Sequence, residues 1–555
     1  MTQISIPPTI DYTITPVYNH VGEVISIKVR VELLVSPLSA GQVLLAVPLQ
    51  IASVDVGCFV NDSIVAFDAQ GLLSLSRDAE KLGPPIAWQK WRVLRDTQGP
   101  ISAEYEALPR RISTTTRNAP PFDLRLNFGG AISSGYGFLA APLVEGFDQK
   151  FDVFVQWDLS KAPSGTRAIW TFGEGPDRVY RRMPCSEIQA TYFAVGKIVS
   201  HGSAQFGLYW LGNPPFDARL LSDDLCPIFM HMAKFFGDKE DDPYRVFIRY
   251  NIYRGSGAGT ALVRSFTFNY DDWDYKDPPS AEQQALFLCH EMTHNWVKLG
   301  DPETDNWYAE GLAEYYSLLM PTRTKLLTLE QFRVALNYRL FAYYTNPLVH
   351  HSNDEVAKLT WKVTDAQQIP YGRGLLLAFA VDDLISSVSH GRQSLDDLVL
   401  SILRRQRNGE PSNQQTYIEE LGYLLGDDAS SYIKARAMVA HMCAGKPMVP
   451  TVHGLARFGL KAERGEGAIW ELGFDEAAAM DELIIKNLDP CSAAARAGVH
   501  EGDRIIKYTP WSNIKGKQDA MIELFLCRRS GDEIVVSFTP RGSRMMVVWQ
   551  YVSVN

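Results

Sequence analysis

Ala285-Leu-Phe-Leu-Cys-His290-Glu-Met-Thr-His294 is followed, after residues 295–309, by Glu310 within Trp307-Tyr-Ala-Glu310-Gly-Leu-Ala-Glu314-Tyr-Tyr. His290 and His294 stand four apart, so on a helix they lie on one face, a turn apart, and both imidazoles can reach one ion. Glu291 then projects beside that ion, where it can take a proton as a general base rather than act as a ligand. A catalytic zinc takes three protein ligands and keeps one position open for water. The third ligand is expected from a neighbouring helix a short loop away. Gly300-Asp-Pro-Glu-Thr-Asp supplies the turn and Glu310 the carboxylate. Glu314 sits one helical turn further along the same face and suits the carboxylate that receives the free N–H of a ligating histidine. The alternative exchanges the two, with Glu314 ligating and Glu310 in support. Either way the pattern predicts one zinc ion per chain.

Outward from this segment the periodicity is helical as far as about Pro450. Ser280, with Gln283 in the capping-box position, predicts the start of a helix running through His294. A second helix is expected from near Asn306, a third after Pro370-Tyr-Gly-Arg-Gly, and a fourth opening at Ser394. Before residue 200 the pattern is different. Val24-Ile-Ser-Ile-Lys-Val-Arg-Val-Glu-Leu-Leu-Val and Lys150-Phe-Asp-Val-Phe-Val-Gln-Trp read as strands between Gly, Pro, Asn and Asp clusters, which predicts an antiparallel β-sandwich. Two further strands, Tyr244-Arg-Val-Phe-Ile-Arg-Tyr and Leu262-Val-Arg-Ser-Phe-Thr-Phe, bracket a glycine-rich stretch. The last hundred residues hold short strands, the small-residue helix Ser492-Ala-Ala-Ala-Arg-Ala-Gly and a tight turn at Glu501-Gly-Asp-Arg, the marks of a compact α/β unit. The expected chain is therefore a multidomain α+β protein with domains at 1–200, 201–450 and 451–555.

Composition narrows the function classes. Apolar residues make up 46% and charged residues 21% of the 555, an ordinary globular balance. The formal net charge of −10 offers no basic footprint for nucleic acid. Arg404, Arg405 and Arg407 form a basic cluster at an expected helix end, where cations suit the dipole. Seven cysteines without paired spacing fit a reducing compartment rather than a disulfide framework. The N-terminus has no signal-peptide pattern and no stretch is apolar enough to span a bilayer, so a cytoplasmic protein without membrane or nucleic-acid partners is expected. His350 and His351 are adjacent and diverge on most backbones, while His231, His390 and His441 lack partners at ligand spacing; all are expected to be structural or exposed.

His290-Glu-Met-Thr-His-Asn-Trp with Trp307-Tyr-Ala-Glu-Gly resembles the zinc segments of the gluzincin metallopeptidases, specifically the glycyl aminopeptidase group, with the alanyl aminopeptidases and the leukotriene epoxide hydrolase as relatives. The resemblance implies a β-rich N-terminal domain, a thermolysin-like, mainly helical catalytic domain and a C-terminal PDZ-like domain. It implies a zinc metallopeptidase in which Glu291 is the general base. Tyr371, in Tyr371-Gly-Arg-Gly, would donate a hydrogen bond to the developing oxyanion. Gly257 and Gly259 fall where the family binds substrate, and Arg373 is a further candidate contact that reads better as a structural or salt-bridged arginine than as a substrate clamp. Glu471-Leu472-Gly473-Phe474 looks like the loop whose backbone N–H groups receive a peptide carboxylate in PDZ modules, so a peptide ligand of this domain is implied. Two departures stand out. The spacer before Glu310 is shorter than the family's usual one. The family's glycine-rich strand carries a glutamate that binds the substrate amine, whereas Gly257-Ala-Gly-Thr-Ala-Leu-Val-Arg264-Ser has no carboxylate. An ammonium group entering a desolvated pocket without that counter-charge is disfavoured. The expected substrate is thus a peptide or, alternatively, a non-peptide small molecule such as an epoxide, an ester or a biosynthetic intermediate.

Overall fold

The computed structural model describes residues 7–51, 54–59, 64–80, 86–113, 116, 120–143, 149–239, 241–251, 259–271, 281–300, 305–360, 362–451, 454–511 and 514–554. The chain divides into two compact units, Met1–Cys226 with Lys239–Pro279, and Pro227–Asp238 with Ser280–Asn555.

The first unit is built of sheets. Val24–Leu34 alternates strictly over most of its length, with Ile27, Val29, Val31 and Leu33 buried and Lys28, Arg30 and Glu32 turned outward, the period of a half-buried strand. It is central in a seven-stranded sheet whose inner face joins a buried cluster with Leu44, Leu45, Val47 and Trp91 of a four-stranded sheet. The expected sandwich is not wholly antiparallel: Thr9–Tyr18 pairs antiparallel with Val24–Leu34 but parallel with Lys150–Trp157. A short helix, α1 (Cys185–Gln189), precedes the strand Tyr192–Gly196, and α2 (Ala218–Phe235) follows Phe206–Trp210.

A five-stranded sheet runs in the order Val199–Gly202, Phe206–Trp210, Tyr244–Tyr250, Ser265–Tyr270, Gly259–Leu262. Its three middle strands are parallel and buried along their length, as parallel strands covered on both faces must be. The expected strand Leu262-Val-Arg-Ser-Phe-Thr-Phe is in fact two. Leu262 ends one strand and Ser265 begins the next, joined by a tight turn in which Arg264 takes φ 54°. Gly259–Leu262 is thereby the antiparallel edge strand of the sheet.

The second unit is mainly helical, with α3 (Ala281–Thr293), α4 (Asn306–Arg323), α5 (Leu329–Tyr344), α6 (Asn353–Leu359), α7 (Thr364–Val388), α8 (Leu395–Arg407), α9 (Gln414–Leu425) and α10 (Ala429–Cys443). In α3, Ala285, Leu288, Cys289 and Met292 form the buried stripe that the helical spacing predicts. Capping boxes open α5 (Thr328 with Gln331), α6 (Ser352 with Glu355) and α8 (Ser394 with Asp397). The basic cluster does end α8, where Arg405 pairs with Glu420. The expected start of a helix after Pro370 is corrected: α7 begins at Thr364 and runs through Pro370. That proline leaves the carbonyl of Ala366 without its intrahelical donor, a local cost the surrounding packing has to cover.

The C-terminal residues carry a core of their own, with Leu472, Phe474, Ile505, Trp511, Leu524 and Phe538 among its members. Two short helices, α11 (Glu476–Asp481) and α12 (Ala493–Ala497), accompany a sheet of Arg504–Tyr508, Ile522–Cys527 and Glu533–Phe538 and a long ribbon of Leu460–Trp470 with Arg541–Ser553. This part is fastened to α5: Asn337 exchanges two hydrogen bonds with the backbone of Tyr551, at 2.8 and 2.7 Å, and Trp470 N donates to Thr345 O at 2.9 Å. Behind them Lys515 Nζ, almost wholly buried, reaches Asp365 Oδ1 on the first turn of α7 at 2.6 Å.

Candidate metal centre

The site starts from two glycines. A Cβ on Gly311 would stand 2.3 Å from Gly374 Cα, and one on Gly374 would stand 1.9 Å from Trp307 O. Helices α4 and α7 therefore cross backbone to backbone, a separation open only to residues without a side chain. Glu310 precedes one glycine and Tyr371 lies three residues before the other, so the crossing sets carboxylate and phenol beside each other. Gly372, between them, is pressed against the ring of Tyr343 on α5.

Helix α3 supplies the histidines. It ends at Thr293, and His294 lies in the turn that follows, held by bonds from Asn295 N to Met292 O and from Trp296 N to Thr293 O. His290 Nε2 lies 3.1 Å from Glu310 Oε2 and 3.2 Å from His294 Nε2, and His294 Nε2 lies 3.5 Å from Glu310 Oε2. Ligands at roughly 2.0–2.1 Å from a tetrahedral zinc ion stand about 3.3 Å apart, so this triangle has the right edge lengths and the right donor chemistry. Among the described residues, these three form the one such grouping of potential metal ligands. Glu314 takes the other side of the ring, with Oε1 3.0 Å from His290 Nδ1. The exchanged assignment would need Glu314 on the Nε2 side, which is where Glu310 stands.

The electrostatics fit a cation. Burial works against charge on His290, yet its contacts with Glu310 and Glu314 push its pKa up to about 10. Burial would raise Glu310, but the two imidazoles hold it well below the usual carboxylate range. Glu314 is lowered to about 2, burial again opposing and Arg339 and His290 prevailing. Arg339 Nε donates to Glu314 Oε2 from α5. Sequence reading does not find Arg339, because no motif spacing links it to Glu314; only the packing of α5 on α4 brings them together.

Glu291 is buried and close enough for its charge to act on Tyr371. The Tyr371 ring stacks on His290, with centroids 5.4 Å apart and planes 5° from parallel. Burial first, then the charges of Glu310, Glu291 and Glu314, raise its pKa well above the ordinary 10, so the phenol keeps its proton and can donate a hydrogen bond.

The remaining expected residues fall elsewhere. Arg373 is not a substrate contact: it is fully buried, donating to Asn353 Oδ1 at 2.5 Å and to the carbonyls of His351 at 2.7 Å and Val349 at 3.2 Å. Gly259 opens the edge strand of the first unit, and Gly257 lies outside the described residues. Arg264 is buried in the first unit and donates to the carbonyl of Asp242. Gly473 takes φ +84°, and a Cβ there would meet Ser492 Cβ at 2.3 Å. Leu472 and Phe474 on either side point into the C-terminal core. The chain continues from this loop into α11, capped by Asp475, rather than into a strand.

No protein-family model matches the sequence, and no curated protein matches it. The fold does match solved structures. An aminopeptidase N family protein from Idiomarina loihiensis superposes with a TM-score of 0.66 at 15% identity, over 99% of this chain and 98% of that one. An M1 zinc metallopeptidase variant from Deinococcus radiodurans, bound to a Tyr-Ser-Ala substrate, gives 0.50 at 15% identity, over 80% of this chain and 94% of that one. Leukotriene A4 hydrolase from Saccharomyces cerevisiae gives 0.50 at 11% identity, over 80% and 68%. The chain thus shares the fold of the M1 zinc metallopeptidases.

Proposed function

We propose that this chain is a zinc-dependent metallohydrolase of the gluzincin type, binding one zinc ion through His290, His294 and Glu310. The observation that carries the reading is the triangle of donor atoms with edges of 3.1–3.5 Å, with Glu291 and Tyr371 beside it. Zinc held there would supply Lewis acidity, polarising the attacked group and making water a usable nucleophile near neutral pH. The side chains do the rest. Glu291 takes the proton from the attacking water and passes it to the leaving group, a contribution worth typically about 10²–10⁴-fold. Tyr371 donates its O–H to the oxyanion as it forms. Glu314, anchored by Arg339, fixes the orientation of His290.

A peptide is the first substrate class to test, because the Deinococcus neighbour holds one. A second reading has its own observation. In sequence, the stretch Gly257-Ala-Gly-Thr-Ala-Leu-Val-Arg264-Ser that resembles the family's amine-binding segment carries no carboxylate, which favours a peptide without a recognised free N-terminus or a neutral non-peptide molecule. Turnover of a peptide library, set against turnover of small esters and epoxides, separates the two. Cleavage of free-amine dipeptides as the best substrates would contradict the argument from the missing glutamate.

In our reading the chain keeps the three-part division 1–200, 201–450 and 451–555, the last part being PDZ-like and akin to that of glycyl aminopeptidases. Among the described contacts the backbone N–H groups of Leu472, Gly473 and Phe474 donate to no backbone carbonyl outside a helix or strand, as a carboxylate-receiving loop requires. Titration with a C-terminal peptide acid and its amide tests this: binding of the acid alone supports it, and no preference contradicts it. A cytoplasmic location agrees with seven cysteines that are all free and with the finding that no described helix is long and apolar enough to cross a membrane.

A further inference from the structure

Helix α7 is held both ahead of Tyr371 and behind it, by different parts of the chain. From Gly372 to Gly374 it lies against α5 and α4, with Arg373 clamped onto the carbonyls of Val349 and His351. Its first turn is held otherwise. The Asp365 carbonyl accepts from Asn346 Nδ2 at 2.9 Å, and the buried Asp365 carboxylate meets Lys515 Nζ of the C-terminal residues at 2.6 Å. Between these two regions stands Pro370, which has no N–H to give the Ala366 carbonyl. The first turn is thus joined to the rest of α7 through an interrupted ladder, and Tyr371 is the first residue after the interruption.

Lys515 is itself firmly seated. Its carbonyl and that of Lys517 accept from Arg541 Nη2, at 2.7 and 2.8 Å, and Arg541 lies over the rings of Phe341 and Trp470. A Cβ on Gly516 would stand 2.4 Å from Tyr338 O, so this loop rests on the backbone of α5. A second carboxylate, Glu476, is farther from Lys515 Nζ, at 3.7 Å. Apolar side chains would join the two parts about as firmly, since desolvation offsets most of the attraction of a buried ion pair. What the pair at Asp365 adds is a fixed point, one donor on the loop meeting one acceptor on the turn.

A helical side chain leans back over the turn that precedes it. The Tyr371 ring, stacked on His290, therefore has the turn containing Pro370 as its seat. We propose that Lys515 is a positioning residue for Tyr371: by holding Asp365 it fixes the first turn of α7, and with it the direction in which the phenol faces the metal centre. The effect on the reaction rests on the reading of Tyr371 as the oxyanion donor, whereas the effect on geometry does not.

The test uses the full-length, zinc-loaded protein and the variants Lys515→Met and Tyr371→Phe, alone and combined. Crystal structures read the geometry, and hydrolysis of p-nitrophenyl acetate, less the rate of Glu291→Gln, reads the reaction. Expected in Lys515→Met is a Tyr371 ring displaced from its stack on His290, an unchanged zinc affinity, and a kcat lower by about 10–100-fold at nearly constant KM. In the Tyr371→Phe background Lys515→Met should cause no further loss. Asn337→Ala removes both bonds to Tyr551 and controls for the attachment as such; it is expected to lower Tm and leave kcat unchanged. A Tyr371 ring still stacked on His290 in Lys515→Met would overturn the proposal. So would a loss of kcat that persists in the Tyr371→Phe background, or an equal loss in Asn337→Ala. If Tyr371→Phe alone is as fast as the wild type, or the ester is not turned over, the oxyanion reading loses its support and the ring position decides the positioning by itself. Should Lys515→Met fail to fold, Asp365→Asn, which removes the charge that Lys515 holds, is judged by the same ring position and the same comparison with Tyr371→Phe.

Discussion

At His290 the two ring nitrogens are committed to different carboxylates, Nε2 toward Glu310 at 3.1 Å and Nδ1 toward Glu314 at 3.0 Å. This division fixes which nitrogen is offered to a metal and which one is held from behind. The arrangement depends on Glu314 remaining a carboxylate, which Arg339 secures. Arg339→Met is accordingly expected to weaken zinc binding by roughly 10–100-fold, read by competition with a chelator, while Arg339→Lys recovers part of it. Unchanged affinity in Arg339→Met would remove Arg339 from the account. Glu291→Gln tests a different step. Its metal content should equal that of the wild type while turnover falls by at least roughly 10²-fold. That His290, His294 and Glu310 come together could be read from the sequence, because four-residue spacing is a geometric statement that holds even though α3 ends at Thr293 and His294 lies in the turn that follows. Arg339 could not, since its bond to Glu314 depends on how two helices pack.

At the scale of elements the crossing of α4 and α7 decides whether Glu310 and Tyr371 meet. Gly374→Ala drives a methyl group into Trp307 O and is expected to cost about 1–3 kcal/mol in stability by chemical denaturation, in line with overpacking of a close contact. Because Tyr371 rides on α7, turnover should fall more than zinc affinity does; an equal fall in both would mean that the crossing does not position the phenol. Sequence periodicity located these helices well, by the apolar stripe in α3 and by the Ser394 cap in α8, whereas the expected cap of α3, Ser280, lies outside the described residues. It failed at Pro370, which stands inside α7 because neighbouring helices pack around the interrupted turn. It also failed at Val263 and Arg264, where a strand-like run hides a turn that needs positive φ at a non-glycine residue. Both exceptions are settled by tertiary packing, which local propensity does not carry.

On the scale of the whole chain, the composition and the change from period two to period 3.6 gave the order of sheet-rich and helical regions. The attachment of the C-terminal residues to α5 and α7 was not legible, since Asp365 and Lys515 are far apart in sequence. Glu476 joins that contact, with Oε1 3.7 Å from Lys515 Nζ. Burial, with Asp365 adding to it and Lys515 opposing it, raises Glu476 to about 7 from the ordinary 4.5. A carboxyl whose folded pKa is raised binds extra protons when folded, so its contribution is fully present below about pH 4.5 and is lost as pH rises through about 7. Glu476→Gln should flatten the fall in stability over that window and leave the variant more stable than the wild type at pH 8; a steeper fall would contradict the assignment. The whole account is tested most directly by diffraction from zinc-loaded crystals on either side of the zinc absorption edge. The account predicts a single anomalous peak, about 2.0–2.2 Å from His290 Nε2, His294 Nε2 and a Glu310 carboxylate oxygen, with Glu314 remaining on Nδ1. A protein that takes up no stoichiometric zinc, or a peak ligated by Glu314 with Glu310 turned away, would contradict it.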